Sequence, residues 1–473
     1  MRSGRIEAGR FDRISGFGCV GNIDVGKETG VHLRARRWPR VFAASGAALS
    51  LLLVGVSLLG PKATAGRTDA ELASALRPAE SNVVARWTVM PYMGRSPSPS
   101  IFGVNTLTYD SSQAHFERDL PTAARLGARW VHFTNGSVHF SRSGQINWGV
   151  LDYEVRQARR LHLGVLLSLG GSPSSCSLAP RPSDFTGCPP TTRRALHAYR
   201  VFLRAELLRY RNAVQYWESW LEPDNAPYWR PRPRPQQYAS LLLTQYEVFQ
   251  QINHTYHTHL KLLFGGPSRF STRPQDGWAV LPFVHAVLAD LHGARTFDGI
   301  GLHAYRFPSQ NTGPPTLNWG PTAIEYDYVG GIPYPAGTRG PYPAQGCAPV
   351  YSGYCQMSWS QELSAFEQEF ANDGYPNMPL WLTEFGWPGN ATARDALFPS
   401  FNTQAEYLRA AYTDILQLPF VQAAFWFNLR DYQPSYVSAD PAFFYHYGLL
   451  QYGFTHKPAA NVFTYFARRY PSK

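Results

Sequence analysis

Residues 214–223 read VQYWESWLEP. The run from Val214 to Leu221 is apolar and aromatic enough for a buried strand, yet it ends on Glu222, Pro223 and the turn-forming Asp224 and Asn225. A carboxylate closing an apolar run is costly to desolvate unless it is paired or used. Apolar runs of strand length recur in IFGVNTL (101–107), RWVHFT (129–134), LGVLLSLGG (163–171), LKLLFGG (260–266), FDGIGLHAY (297–305), PLWLTEFGW (379–387) and VQAAFWFNL (421–429). With 214–223 these make eight predicted strands, mostly continuous apolar runs, as expected of parallel strands buried on both faces.

Amphipathic helical patterns separate them, at 114–127, 148–162, 191–211, 235–252, 278–293, 358–374 and 402–418. Alternating strands and helices over residues 99–473 predict an α/β chain with a (β/α)8 TIM barrel. A doubly wound open sheet is the alternative, but it wants a Gly-rich turn after the first strand, and GVNTLTYD is not one. Residues 306–358, rich in Pro, Gly and Tyr, form a long insertion after the sixth strand, read as a structureless loop able to wall a cleft over the barrel mouth.

The 473 residues carry a net charge of +11, which raises the question of a nucleic-acid partner. Residues 1–65 hold ten Lys/Arg against four Asp/Glu, leaving 34 basic and 29 acidic residues over the other 408. That remainder has no dense basic block, so nucleic-acid binding is not expected. Residues 1–40 read as a disordered cytoplasmic tail, in which Arg34, Arg36, Arg37 and Arg40 stand directly before the uncharged run 41–60. That run fits a signal or single-pass anchor helix with the N-terminus inside. ATA at 63–65 before Gly66 fits a cleavage site, and 61–98 reads as a linker. Both outcomes, secreted or membrane-anchored at the cell surface, export the barrel, and 41–60 is its only expected membrane contact. Cysteine usage agrees: Cys176 with Cys188 and Cys347 with Cys355 sit as close pairs in Pro/Gly/Ser-rich loops, the pattern of two local disulfides.

Three motifs are decoys. GFGCVG (16–21) and GNIDVGK (21–27) match phosphate-binding patterns but lie in the polar tail, without the strand, turn and helix the mechanism requires. HTYHTH (254–259) ends a helical run and lacks an acidic ligand beside it. NGS, NHT and NAT at 135, 253 and 390 fit glycosylation sequons, which a chain of this size carries by chance.

In a (β/α)8 barrel chemistry sits where the strands end. Those ends bear Asn105, His132 and Asn135, Ser168, Glu222, Ser268, His303 and Tyr305, Glu384 and Trp387, and Trp426 and Asn428. Glu222 and Glu384 are the two carboxylates of this set. A pair ~5 Å apart suits a retaining glycosidase, one residue acting as acid/base and the other as nucleophile. Metal binding is a rival use, but it would want further Asp or His ligands, of which His303 is the only good candidate, and no metal is expected. Two rim salt bridges are the plain structural reading.

WLEPDN and LWLTEFGWP resemble the acid/base and nucleophile motifs of glycoside hydrolase clan A. GGPS after the fifth strand and GLHAY after the sixth resemble it too, with family 39 and the family 5-like cellulases nearest. The resemblance spans roughly residues 100–470. It implies Glu222 as general acid/base, Glu384 as nucleophile, Tyr305 orienting the nucleophile or touching the sugar, and Trp426 as a stacking platform. His303, Trp387, Asn428 and Asn135 complete the substrate-facing candidates. No cofactor is implied, and the substrate would be an extracellular or cell-wall oligo- or polysaccharide. The chain also departs from the clan: Leu221 stands where Asn usually precedes the acid, and the arginine common at the end of strand two is missing. Two further readings follow, a non-catalytic carbohydrate-binding protein on the same fold and a transglycosylase.

Overall fold

The computed structural model describes residues 100–106, 113–133, 139–140, 146–170, 188–226, 228–268, 280–305, 325–328, 354–357, 359–390, 399–433 and 446–471. The tail, the signal or anchor run, the linker, Asn135, Cys176 and Cys347 lie outside these residues. Among the described residues no helix is long and apolar enough to cross a membrane. Cys188 is disulfide-bonded; its expected partner falls outside them.

The strands in chain order are β1 (Phe102–Thr106), β2 (Trp130–Phe133), β3 (His139–Phe140), β4 (Ile146–Asn147), β5 (Gly164–Ser168), β6 (Tyr216–Glu218), β7 (Lys261–Phe264), β8 (Gly299–His303), β9 (Glu325–Tyr328), β10 (Tyr354–Met357), β11 (Leu380–Phe385) and β12 (Val421–Trp426). Eight of them close a barrel in the order β1-β12-β11-β8-β7-β6-β5-β2, and the paired strands run parallel. Each is one of the eight predicted segments.

The helices are α1 (Gln113–Leu126), α2 (Gly149–Arg160), α3 (Arg193–Tyr210), α4 (Pro235–Tyr256), α5 (Val280–Leu291), α6 (Trp359–Asn372), α7 (Phe401–Gln417) and α8 (Pro458–Arg469). Their starts follow from local chemistry. Thr192 accepts from the Ala195 amide at 3.1 Å to cap α3, Ser400 accepts from Thr403 at 3.0 Å to cap α7, and α4 and α8 begin on proline. α4 ends at Tyr256 with His257 left-handed, so HTYHTH straddles a helix terminus, and its three histidines are exposed.

Side chains fill the barrel interior. Trp130, Leu166, Leu263, Trp381, Ala423 and Phe425 form one buried cluster with Tyr216 packed against it. The Trp130 and Trp381 rings meet edge-on at 5.4 Å. Gly164 makes room for this layer, since a Cβ there would stand 2.4 Å from the Trp130 ring. A filled core leaves the strand ends as the place for chemistry.

Three features differ from the sequence expectations. The 306–358 insertion is not structureless throughout: β9 pairs antiparallel with β10. β6 is three residues long, because beyond Glu218 the chain leaves the regular ladder and Glu222 takes a left-handed φ of 43°. The eighth helix, α8, was absent from the predicted helical segments, as was the β3–β4 hairpin.

Candidate active site

Glu222 and Glu384 come together at the strand ends, each 6% exposed. Glu222 follows β6 in a backbone conformation that non-glycine residues adopt at a cost of roughly 1–3 kcal/mol and that concentrates at functional sites. Its amide donates to the Gly266 carbonyl at 3.2 Å, and its carbonyl accepts from Asn225 at 3.0 Å, which hold the turn. Its carboxylate accepts from Asn225 Nδ2 at 2.8 Å and from His303 Nδ1 at 2.9 Å.

Glu384 lies on β11 and accepts from the Tyr305 hydroxyl at 2.7 Å; its Oε2 is 3.6 Å from His303 Nδ1. One imidazole nitrogen therefore bridges the two carboxylates. Burial pushes the Glu384 carboxyl above its ordinary range and the Glu222 charge adds to that, while His303, His132 and the Tyr305 hydroxyl pull it down. For His303, burial alone would lower the ring, but Glu384 and Glu222 outweigh it and raise it to about 9. A group raised in the fold stabilises fully below its unfolded value and loses that contribution as pH climbs through the folded one. With an ordinary value of 6.5 and a folded value of about 9, His303 gives a window of falling stability between those two pH values. The expected loss is up to about 3 kcal/mol. Denaturant titrations across the window measure it, and His303→Gln is expected to flatten the slope; an equal slope in the variant would assign it elsewhere.

Gly266 decides whether this arrangement fits. A Cβ at that position would stand 2.4 Å from His303 Cδ2, 2.6 Å from its Nε2 and 2.7 Å from Thr383 Oγ1. Glycine is needed here for space, since its φ is not in the left-handed range. Gly266→Ala must displace the bridging ring, and overpacking of this kind costs typically about 1–3 kcal/mol. We expect a lower Tm together with lost activity, measured by calorimetry and turnover; unchanged turnover would mean that the ring's position is unimportant.

The other sequence candidates are placed as follows. Tyr305 is buried with its hydroxyl donating to Glu384. Trp387 and Trp426 are fully buried and pack on each other at 6.3 Å; the Trp426 indole donates to the Tyr447 carbonyl at 2.9 Å. Both rings are thus core-packed in this structure, so an open stacking face is not on display. Asn428 is buried next to this group, and neither side-chain atom has a hydrogen-bond partner among the described residues. Asn135 falls outside them. Sequence reasoning passed over Glu218 and Asp224, both buried. Asp224 accepts from the Ser268 amide at 2.9 Å, tying the turn after β6 to the end of β7, and burial holds its carboxyl well above the ordinary range. The signal for Glu218 was strand alternation, which puts it on the same face as Tyr216.

Glu222, His303 and Glu384 each offer a ligand atom within 4.8 Å of the other two, so the trio could also hold a cation. A second such group, His285 on α5, Glu369 on α6 and Asp373 just after α6, has His285 exposed.

No family model matches the sequence, and no curated protein matches it. Solved structures do. A family 39 glycoside hydrolase from the gut symbiont Bacteroides cellulosilyticus WH2 matches with a TM-score of 0.52 at 19% identity, over 80% of this chain and 65% of that one. A monomeric beta-xylosidase from Caulobacter crescentus CB15 matches with a TM-score of 0.52 at 16% identity, over 79% and 69%. A glucosidase from Croceicoccus marinus matches with a TM-score of 0.50 at 13% identity, over 80% and 69%. The chain spans 65–69% of the length of these three proteins. At these identities the likeness is one of fold.

Proposed function

We propose that this chain is a retaining glycoside hydrolase of the clan A type, akin to family 39, acting outside the cytoplasm on an oligo- or polysaccharide. The observation that carries the reading is the carboxylate pair: oxygens of Glu222 and Glu384 lie within 4.8 Å of each other with His303 bridging them. Retaining enzymes keep their two carboxyl groups about 5–5.5 Å apart, whereas inverting enzymes need roughly 6.5–9.5 Å to admit a water. Shared fold with the hydrolases above adds support by analogy only.

In the first step a Glu384 oxygen bonds to the anomeric carbon as the bond to the leaving oxygen breaks, and Glu222 gives that oxygen its proton. In the second, water attacks the same carbon, Glu222 takes the water's proton, and the bond to Glu384 breaks. His303 suits the attack. With its value near 9 the ring is a cation at neutral pH, and its charge favours the ionised form of Glu384. The Tyr305 hydroxyl fixes which Glu384 oxygen is free to attack.

The test is a hydrolysis screen on α- and β-linked aryl glycosides and polysaccharides, with the first-formed product read by proton NMR. Retention of the substrate's anomeric configuration is expected, and inversion would overturn the reading. Glycan binding without turnover would favour the binding-protein alternative, and products longer than the substrate would mark a transglycosylase. Export through residues 41–60 is part of the proposal and is tested by N-terminal sequencing of the chain recovered from intact cells and from the medium.

A further inference from the structure

Beneath the carboxylate pair lies a buried polar chain that the reaction above does not use. β11 slips register at Thr383: Leu382 pairs with Leu302 and Glu384 with His303, so one residue is skipped against β8, and the strand is irregular against β12 as well. Such a bulge re-aims the next side chain, here Glu384, and leaves backbone groups to be satisfied elsewhere. The Thr383 carbonyl accepts from Asn105 Nδ2 at 3.0 Å and from His132 Nδ1 at 3.1 Å, with all three residues fully or almost fully buried.

The hydrogen count then fixes the ring. A carbonyl only accepts, so His132 Nδ1 bears a proton. Ser168 Oγ lies 2.7 Å from His132 Nε2 and 2.5 Å from Glu218 Oε2, which is itself 3.3 Å from the ring nitrogen. Burial works against charge on Glu218, but the bonds from His132 and Ser168 and the charge of His303 hold its carboxyl down at about 2. Ser168 and Glu218 thus hold the far side of the ring at Nε2, while Nδ1 faces the carbonyl. The charged groups facing this ring are Glu218 below and the Glu384–His303 pair above.

Resting on the glycosidase reading, we propose that His132, held in place by Ser168 and Glu218, is a positioning residue for Glu384: it clamps the Thr383 carbonyl and so fixes the bulge that aims the nucleophile. A buried backbone oxygen at a bulge has lost its ladder partner, so the donor on the ring holds the bulge in place. Packing alone would ask only for a ring of this shape.

The experiment uses the full chain and two independent readouts. His132→Ala is expected to lower kcat on an aryl glycoside by about 100-fold with KM almost unchanged, the signature of misaimed chemistry. His132→Gln keeps a donor for the carbonyl and is expected to recover about tenfold of that loss. A kcat within threefold of the parent in His132→Ala, or no recovery in His132→Gln, would overturn the positioning role. Nitrogen-15 spectra of the ring give the second readout: a protonated Nδ1 in the parent chain. A bare Nδ1 in the parent would sink the proposal. If His132→Ala fails to fold, the glutamine variant and the spectra decide it. A chain that hydrolyses no glycoside defeats the proposed function, and the ring signals then judge the clamp by themselves.

Discussion

Glu384→Gln is expected to cut kcat/KM on an aryl glycoside by at least about 10⁴-fold while glycan binding persists; loss of a covalent nucleophile has cost on the order of 10⁶ in kcat where it has been dissected. The substitution keeps the shape of the side chain and its bond from the Tyr305 hydroxyl, 2.7 Å away in the parent. It removes only the capacity to form the bond to the anomeric carbon. Stability should hold or rise, because burial and the neighbouring Glu222 already disfavour charge on Glu384. A smaller variant, Glu384→Gly, separates nucleophile from general electrostatics. Added azide can occupy the vacated space, attack the anomeric carbon and expel an activated phenolate, giving a glycosyl azide of inverted configuration. Rescue by azide with that product supports covalent catalysis by Glu384. Parent-level activity in Glu384→Gln would remove the nucleophile assignment altogether, and with it the reading of the pair.

The sequence made the pair legible because the signal is local. An acid that closes an apolar strand stands out against its neighbours, and Glu222 and Glu384 each do so. The barrel itself was legible for the same reason, since every barrel strand is a run long enough to read by itself. What stayed hidden is nonlocal. The bulge at Thr383 exists only relative to β8 and β12, and nothing in LWLTEF announces it. Glu218 was embedded in what read as a continuous run, and its meaning depends on His132 and Ser168, which come from two other strands. Trp426 was expected as a platform and Trp387 as a substrate-facing residue; the fold packs both rings against Phe385 and each other, contacts that no single run of sequence displays. The pairing of β9 with β10 was missed because each strand is four residues long and its partner lies far along a Gly/Pro-rich insertion.

Glu222→Gln should behave differently from Glu384→Gln, and the difference depends on the leaving group. Protonation by a positioned acid contributes about 10²–10⁴-fold, and only where the departing oxygen needs the proton. For an alkyl glycoside or a natural oligosaccharide, kcat/KM is expected to fall by that factor. For a strongly acidic phenol, kcat/KM should stay near the parent value, because the bond breaks unaided. The kcat should still fall, since hydrolysis of the covalent intermediate needs Glu222 as base, and a burst of phenol should precede slow turnover. The site tolerates the change: His303 Nδ1 can still donate to the retained oxygen, and Asn225 need only turn its amide over to accept from the new nitrogen. This dependence separates the rivals. If Glu222, His303 and Glu384 served instead as a metal centre, removing either carboxylate would cripple every substrate alike, whatever its leaving group, and a chelator would mimic the loss in the parent. A binding protein would show no leaving-group trend because it has no turnover to vary. An equal loss of kcat/KM across the leaving-group series would therefore retire the acid/base role of Glu222 even if Glu384 proved indispensable.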